Sequence, residues 1–245
     1  MRVLIFHGYL LAGTGSNVYN SALAEALVRG GHEVHLLSQE RDPLALEWVD
    51  AAGDWDGGEL ALTVRREPVR ATVYRPDIGG LLPVYVADRY DGVEARTFPE
   101  LDDDEVERYL AANATAVREV AERARPDVAL ANHLVMGPAI LARALDGVPY
   151  AVKIHGSALE YTVKPYPRFL PYARDGLAPA RGILVGSRHT AESLWAAMED
   201  PTVTDRTRLG PPGVDVGRFA PRDPAEARSG LEHLRTRLQA AASGH

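Results

Sequence analysis

The sequence predicts a three-layer α/β domain built on a mainly parallel sheet. Short apolar runs alternate with stretches of helical period, beginning at residues 3–6 and 17–29. That alternation is the pattern of parallel strands with helices on both faces. The 245 residues are 46% hydrophobic and 25% charged, enough for a large core and unlike a disordered chain.

The first strand is expected at residues 3–6. A glycine-containing loop over 8–16 leads to a helix over 17–29, with Val18, Ala22, Ala26 and Leu27 as its apolar stripe. Gly30 and Gly31 end it, as helix C-termini prefer. A second strand follows at 33–37. Residues 43–52 predict a short helix, and 60–65 and 72–74 predict strands. Residues 75–99 are poorly patterned, with Pro76, Gly79, Gly80, Pro83 and several tyrosines. Such a long irregular region inside a compact domain is often functional.

Residues 102–125 give the clearest helix, with Val106, Leu110, Ala114, Val117 and Ala121 along one face. Asp102 and Glu105 make a capping box, and acids at the start with Arg123 and Arg125 at the end suit the helix dipole. The Asp102-Asp103-Asp104 run formally matches an Asp-x-Asp metal motif, but its position assigns it to capping. A strand at 127–131, a helix at 138–145 and strands at 150–154 and 183–185 follow. Ser187 caps a helix carrying Ala191, Leu194, Trp195 and Met198. Asp223, Pro224 and Glu226 open a last amphipathic helix with Leu231, Leu234 and Leu238. The expected organisation is one domain over residues 1–220 and a helix or linker over 221–245.

The net charge is −7 and no dense Lys/Arg cluster occurs, which disfavours a nucleic-acid partner. The acidity also weakens, without excluding, attachment to an anionic membrane. There is no cysteine, so disulfides and thiolate-bound metal are excluded and a reducing compartment fits. The opening MRVLIFHGYL is too short an apolar run for a signal peptide, and no stretch reaches the length of a membrane span. A cytoplasmic protein is expected. Lys153 and Lys164 are the only lysines, and they bracket one His-Gly-Ser segment.

Several motifs carry chemistry. Gly13, Gly15 and Val18 form Gly-x-Gly-x-x-Val, lacking the third glycine of a dinucleotide fingerprint, and no Gly-Lys-Ser/Thr of a P-loop follows. What remains is either a mere turn or a loop that brings backbone N–H groups to a helix N-terminus, a place suited to an anion such as a sugar diphosphate. Asn132-His133 ends one strand, and Lys153-Ile154-His155 ends another. Ligands of open parallel sheets sit outside the carboxyl ends of strands, so His133 and His155 are expected to converge there with Gly15. Lys153 inside a strand is costly to bury without a partner or an anion. Tyr161, Lys164, Tyr166 and Arg168 lie just beyond. They are either a plain solvated loop or an acceptor site in which tyrosines pack on a sugar ring and cations meet a phosphate or carboxylate. No Gly-x-Ser-x-Gly elbow supports a hydrolase triad.

An ordered set of segments resembles the amino-terminal domain of the large family-4 group of glycosyltransferases. The set comprises LAEALVRGGHEVHLLS, NHLVMGP, KIHGS, VGSRHTAESL and GPPGVDVGRFAP, with the opening strand and glycine loop before them. The resemblance implies the GT-B architecture, two Rossmann-like domains facing across a cleft. The first domain mostly binds acceptor and the second binds the nucleotide-sugar. Transfer retains anomeric configuration and needs neither metal nor cofactor. It also implies roles for particular residues. Gly15 matches a loop glycine that approaches the donor phosphates, His155 a histidine that contacts the transferred sugar, and His133 a histidine at the neighbouring strand end. Beside these, the residues themselves lead to Gly13 and Ser16 being expected with Gly15 at the donor phosphates, and to His133, Lys153, Tyr161, Lys164 and Arg168 being expected to bind the acceptor. The family's usual pair of adjacent loop glycines is here Thr14-Gly15.

The expected function is thus the acceptor-binding half of a retaining nucleotide-sugar glycosyltransferase, with hexosyl transfer the expected reaction. The family's diphosphate-binding basic pair belongs to a second domain for which these 245 residues hold no sequence, so little turnover is expected from them alone. The alternatives are a non-catalytic sugar- or anion-binding module, or one subunit of a split glycosyltransferase. A related epimerase and a nicotinamide-dependent enzyme stand further off. The implied partners are a nucleotide-sugar donor, a sugar, lipid or small-molecule acceptor, and a second Rossmann-like domain.

Overall fold

A computed structural model of the chain describes residues 1–56, 58–86 and 92–242. Contacts divide it into two units, Met1–Pro211 and Pro212–His245. In the first unit, nine strands form one sheet in the order β11-β10-β9-β8-β1-β2-β5-β3-β4. In chain order, the opening elements are β1 (Arg2–Phe6), α1 (Gly15–Arg29), β2 (Glu33–Leu37), β3 (Ala51–Asp56), β4 (Glu59–Val64) and β5 (Ala71–Arg75). Next come β6 (Leu81–Val84), β7 (Glu94–Thr97), α2 (Asp103–Ala124), β8 (Val128–Asn132), α3 (Gly137–Ala144) and β9 (Tyr150–Ile154). The unit closes with α4 (Leu170–Leu177), β10 (Gly182–Val185), α5 (Arg188–Met198), α6 (Pro201–Arg206) and β11 (Thr207–Leu209). All neighbours in the large sheet pair parallel except β3 and β4, which form an antiparallel hairpin.

Side-chain alternation along β1 creates the three layers. Val3 and Ile5 enter a smaller core with Ala24 of α1, while Leu4 and Phe6 enter the main core with α2 to α5. The apolar face expected of the helix at 102–125 is buried in α2, and Leu110, Val117 and Val120 are fully buried there. Each such side chain stabilises the fold by about 1.5–3 kcal/mol. Asp102 accepts from the Glu105 N–H, and the Glu105 carboxylate accepts from the Asp102 N–H, closing the capping box. Ser187 likewise accepts from the Thr190 N–H at the start of α5.

Three expectations are corrected. Residues 43–52 are not a helix, for only Pro43–Ala45 make a 3₁₀ turn before β3 begins. Buried Asp50 is the reason. Its carboxylate accepts from the Arg70 and Ala71 N–H groups, and its own N–H donates to Ala71 O, which draws the chain into the sheet beside β5. Small residues follow because Tyr74 leans on this strand. A Cβ on Gly53 would lie 2.6 Å from the Tyr74 ring. The α1 stripe is also different. Val18 is exposed and the buried positions are Asn17, Asn20 and Ala24, because this helix presents amide groups to the site. Finally, the irregular stretch at 75–99 contains β6 and β7, which pair parallel as a separate two-stranded sheet. Residues 87–91 of that stretch lie outside the described residues, as do 243–245 of the expected tail.

The second unit holds α7 (Pro224–Ala242), opened by Asp223, whose carboxylate accepts from the Ala225 and Glu226 N–H groups. No helix among the described residues is long and apolar enough to cross a membrane.

Candidate functional site

The connection from β1 leads through α1 to β2 on one side, while β8 lies on the other side of β1. The strand order reverses there, and in such sheets the crevice at the carboxyl ends of the two strands is where ligands bind. His7 follows β1, Asn132 ends β8 and His133 follows it, and His155 follows β9. The structure gathers them. The His133 ring centroid lies 5.8 Å from that of His7 and 5.0 Å from that of His155. Tyr19 of α1 meets His155 edge-on at 5.2 Å.

The three imidazoles differ in what surrounds them. His7 is buried, with Nε2 3.0 Å from Asn17 Oδ1 and Nδ1 3.0 Å from Asn20 Nδ2. Burial drops its pKa to about 4 despite the Asn17 hydrogen bond. His133 is 2% exposed, enclosed by Tyr85 at 4.5 Å and by the other two imidazoles. Both its ring nitrogens lack a partner among the described residues, and its backbone is left-handed, with φ +66°. Burial and the neighbouring imidazoles hold its pKa well below the ordinary value. The structure thus places His133, expected on the acceptor side, in the interior with its ring packed against that of His155. His155 is partly exposed, and its Nε2 lies 2.9 Å from Asn132 Oδ1. Its pKa falls to about 3, chiefly by burial, with His7 and Lys153 adding repulsion.

The glycine loop is open. No atom lies within 4 Å of a Cβ built on Gly13 or Gly15. Gly13 has φ +92°, which accounts for glycine there, whereas Gly15 has neither a positive φ nor a crowded neighbour. Thr14 caps α1 with no side-chain hydrogen bond to the helix N–H groups, and its hydroxyl lies 3.4 Å from that of Ser16. The first helical bond runs from the Val18 N–H to Thr14 O. The N–H groups of Gly15, Ser16 and Asn17 thus have no partner among the described residues, and the positive end of the helix dipole stands there.

Lys153 is 1% exposed. Its neighbours Val152 and Ile154 enter the main core, so alternation places Lys153 on the α1 side of the sheet. Its ammonium donates to Gly210 O and lies 5.5 Å over the Tyr19 ring. Burial lowers its pKa. The buried amine has found a carbonyl rather than a carboxylate.

Lys164 and Arg168, also expected at the site, have their hydrogen-bond partners outside this cluster. Lys164 pairs with Glu160 and also reaches the Ser193 hydroxyl at 3.2 Å. Tyr161 is 61% exposed. The Arg168 guanidinium donates to the carbonyls of Phe98, Pro99 and Leu101 and to Asp103, so it ties the start of α2 to the turn before α4. Sequence reasoning missed His7, Asn17 and Asn20, and noted Asn132 only as a strand end. His7 carried a signal, since it follows β1 as His155 follows β9. Asn17 and Asn20 lie about one helical turn apart, off the apolar stripe expected of that helix. Among the described residues no group of three His, Asp or Glu side chains is placed to hold a metal ion.

A family model of the glycosyl transferase 4-like domain matches residues 14–213. No curated protein matches the chain. The fold is similar to that of sucrose-phosphate synthase from Thermosynechococcus elongatus, with TM-score 0.57 and 17% identity over 94% of this chain and 52% of that one. It is also similar to the trehalose-6-phosphate phosphatase N-terminal domain of Candida albicans, with TM-score 0.52 and 13% identity over 96% of this chain and 54% of that one. The chain thus spans about half the length of these solved structures. At such identities the likeness speaks for the fold alone. The family match, which runs from the last residues of the glycine loop through every strand from β2 to β11, decides the matter: the chain belongs to the glycosyl transferase 4-like family and has the Rossmann-like α/β fold of a GT-B glycosyltransferase domain.

Proposed function

We propose that residues 1–211 form the acceptor-side half of a nucleotide-sugar-dependent glycosyltransferase that transfers a hexosyl group with retention, without metal or cofactor. The observation that carries this reading is the meeting of the uncapped α1 N-terminus with His155 at the strand-order reversal, where Tyr19 of α1 touches the His155 ring. The donor diphosphate lies against the free N–H groups of Gly15 and Ser16. The leaving phosphate gains negative charge during transfer, and fixed N–H dipoles aimed at developing charge are the largest catalytic term in such reactions. The transferred sugar lies against His155. Lys153 holds a positive charge at the base of the same edge, and Tyr161 and Lys164 border the acceptor. The facing wall of the cleft comes from a second Rossmann-like domain, so the 245 residues alone turn over negligibly.

The test is binding of a panel of nucleotide-sugars to the chain, with Gly15→Ala and His155→Ala as probes. Both variants are expected to weaken binding while leaving the fold intact. Undiminished binding by both would remove the site, and robust transfer by residues 1–245 would remove the claim that they are half of the machinery.

A further inference from the structure

The hydrogen bonds around His155 fix which of its nitrogens carries the proton. Asn132 Nδ2 donates to Phe6 O at 3.2 Å. A backbone carbonyl only accepts, so the amide nitrogen must face Phe6 and Oδ1 must face His155. Oδ1 also only accepts, so the hydrogen in the 2.9 Å contact sits on His155 Nε2. A neutral imidazole carries one such hydrogen, which leaves Nδ1 as a bare lone pair. The groups nearest the ring are Tyr19, His133, His7 and Lys153, and none of them is an acid that would draw a second proton onto it.

His7 shows the same device completed. Asn17 Nδ2 donates to Ala12 O, so Asn17 Oδ1 receives the His7 Nε2 hydrogen, and Asn20 then donates to Nδ1. Both nitrogens of His7 are spent. His155 differs in one respect: among the described residues its Nδ1 has no partner, and the ring is partly exposed.

We infer that Asn132 is a positioning residue that holds His155 in the Nε2–H tautomer, so that Nδ1 accepts a hydrogen bond from a hydroxyl of the bound sugar. This rests on the reading of His155 as the sugar contact. It adds a polarity to that contact. A hydroxyl can donate to Nδ1, whereas an ionised phosphate or a carbonyl presents only lone pairs and is turned away. His155 therefore reads a sugar hydroxyl and takes no part in holding the diphosphate, which falls to the α1 N-terminus.

The experiment is ¹⁵N–¹H correlation of histidine-labelled chain at neutral pH, with His155 assigned by the signal lost in His155→Gln. The expected result is a single Nε2–H tautomer for His155. Asn132→Ala is expected to give a mixture of tautomers. Asn132→Asp places a carboxylate against Nε2 and is expected to raise the His155 pKa by about 1–3 pH units. An Nδ1–H tautomer in the unmutated chain, or a tautomer indifferent to Asn132→Ala, would overturn the inference. Should Asn132→Ala fail to fold, the tautomer of the unmutated chain decides by itself. D-glucose and inorganic sulfate, an anion with no proton to donate at neutral pH, are then the ligand probes. Glucose is expected to shift His155 Nδ1 and sulfate to leave it unmoved, while sulfate bonding at Nδ1 would overturn the polarity. The correct tautomer with no response to glucose would instead remove the sugar-contact reading and leave the role of Asn132 standing.

Discussion

Gly15 is required neither by the conformation of its own backbone nor by the packing of its neighbours, because a methyl group there would meet no protein atom within 4 Å. Gly15→Ala is therefore expected to stabilise the fold by about 0.4–1 kcal/mol while weakening nucleotide-sugar binding. Thermal unfolding and a binding titration on the same sample check both halves. Gly13→Ala is the contrast, since φ +92° makes any side chain costly, by about 1–2 kcal/mol. His7 makes a different prediction. Its pKa is about 4 in the fold against an ordinary 6.5, so the unfolded chain takes up a proton first as the pH falls. The stability owed to a neutral His7 is complete above pH 6.5 and declines as the pH falls from there to about 4, at roughly 1.4 kcal/mol per pH unit and about 3 kcal/mol in all. Urea unfolding at pH 7 and pH 5 should show that contribution as the part of the slope that His7→Gln removes, with the buried His133 and His155 supplying further slope of the same sign.

Helices and strands hang on a few polar ties. Asp50 seats β3 beside β5 through two backbone N–H groups and an ion pair with Arg66. Burial alone would raise its pKa, but those hydrogen bonds and the Arg66 charge outweigh it and hold the carboxyl below the usual range. Its contribution is present above the unfolded carboxylate pKa near 3.9 and is lost as the pH falls through the folded one. Asp50→Ala is expected to cost about 3 kcal/mol by leaving one buried and one part-buried N–H group unpaired, measurable by urea unfolding at neutral pH. Arg168 clamps three carbonyls ahead of α2, and Arg168→Ala should cost about 1–2 kcal/mol. A loss of ligand affinity with no fall in Tm would give Arg168 the acceptor role instead. These ties also explain what was legible in the sequence. The strands β1, β2, β8 and β9 and the helix α2 announce themselves by apolar period and caps. The strand β3 does not, because Ala51, Ala52 and Gly53 carry no strand signal and a long-range carboxylate recruits them. The buried edge of α1 escaped for the same kind of reason: Asn17 and Asn20 look like surface until a histidine from β1 is seen between them.

For the molecule as a whole, the convergence of the glycine loop with His133 and His155 followed from topology alone. Parallel strands deliver their carboxyl ends to one edge, and residues just past those ends must meet there. Which histidine faces outward did not follow, because that depends on packing by Tyr85, whose hydroxyl donates to Val135 O and whose ring lies against His133. The family match and the fold identify the domain, and the asparagine-imidazole pairs give its site a definite arrangement of donors and acceptors. The burial of Lys153 has a practical consequence. Its amine is covered by Tyr19 of α1 and held by Gly210 O, whereas the Lys164 side chain is 44% exposed in the turn after β9. With no other lysine in the chain, an amine-reactive fluorophore has two anchoring points, the amino terminus and Lys164. Conjugation at Lys164 would set an optical reporter on the segment that follows His155, without introducing a cysteine.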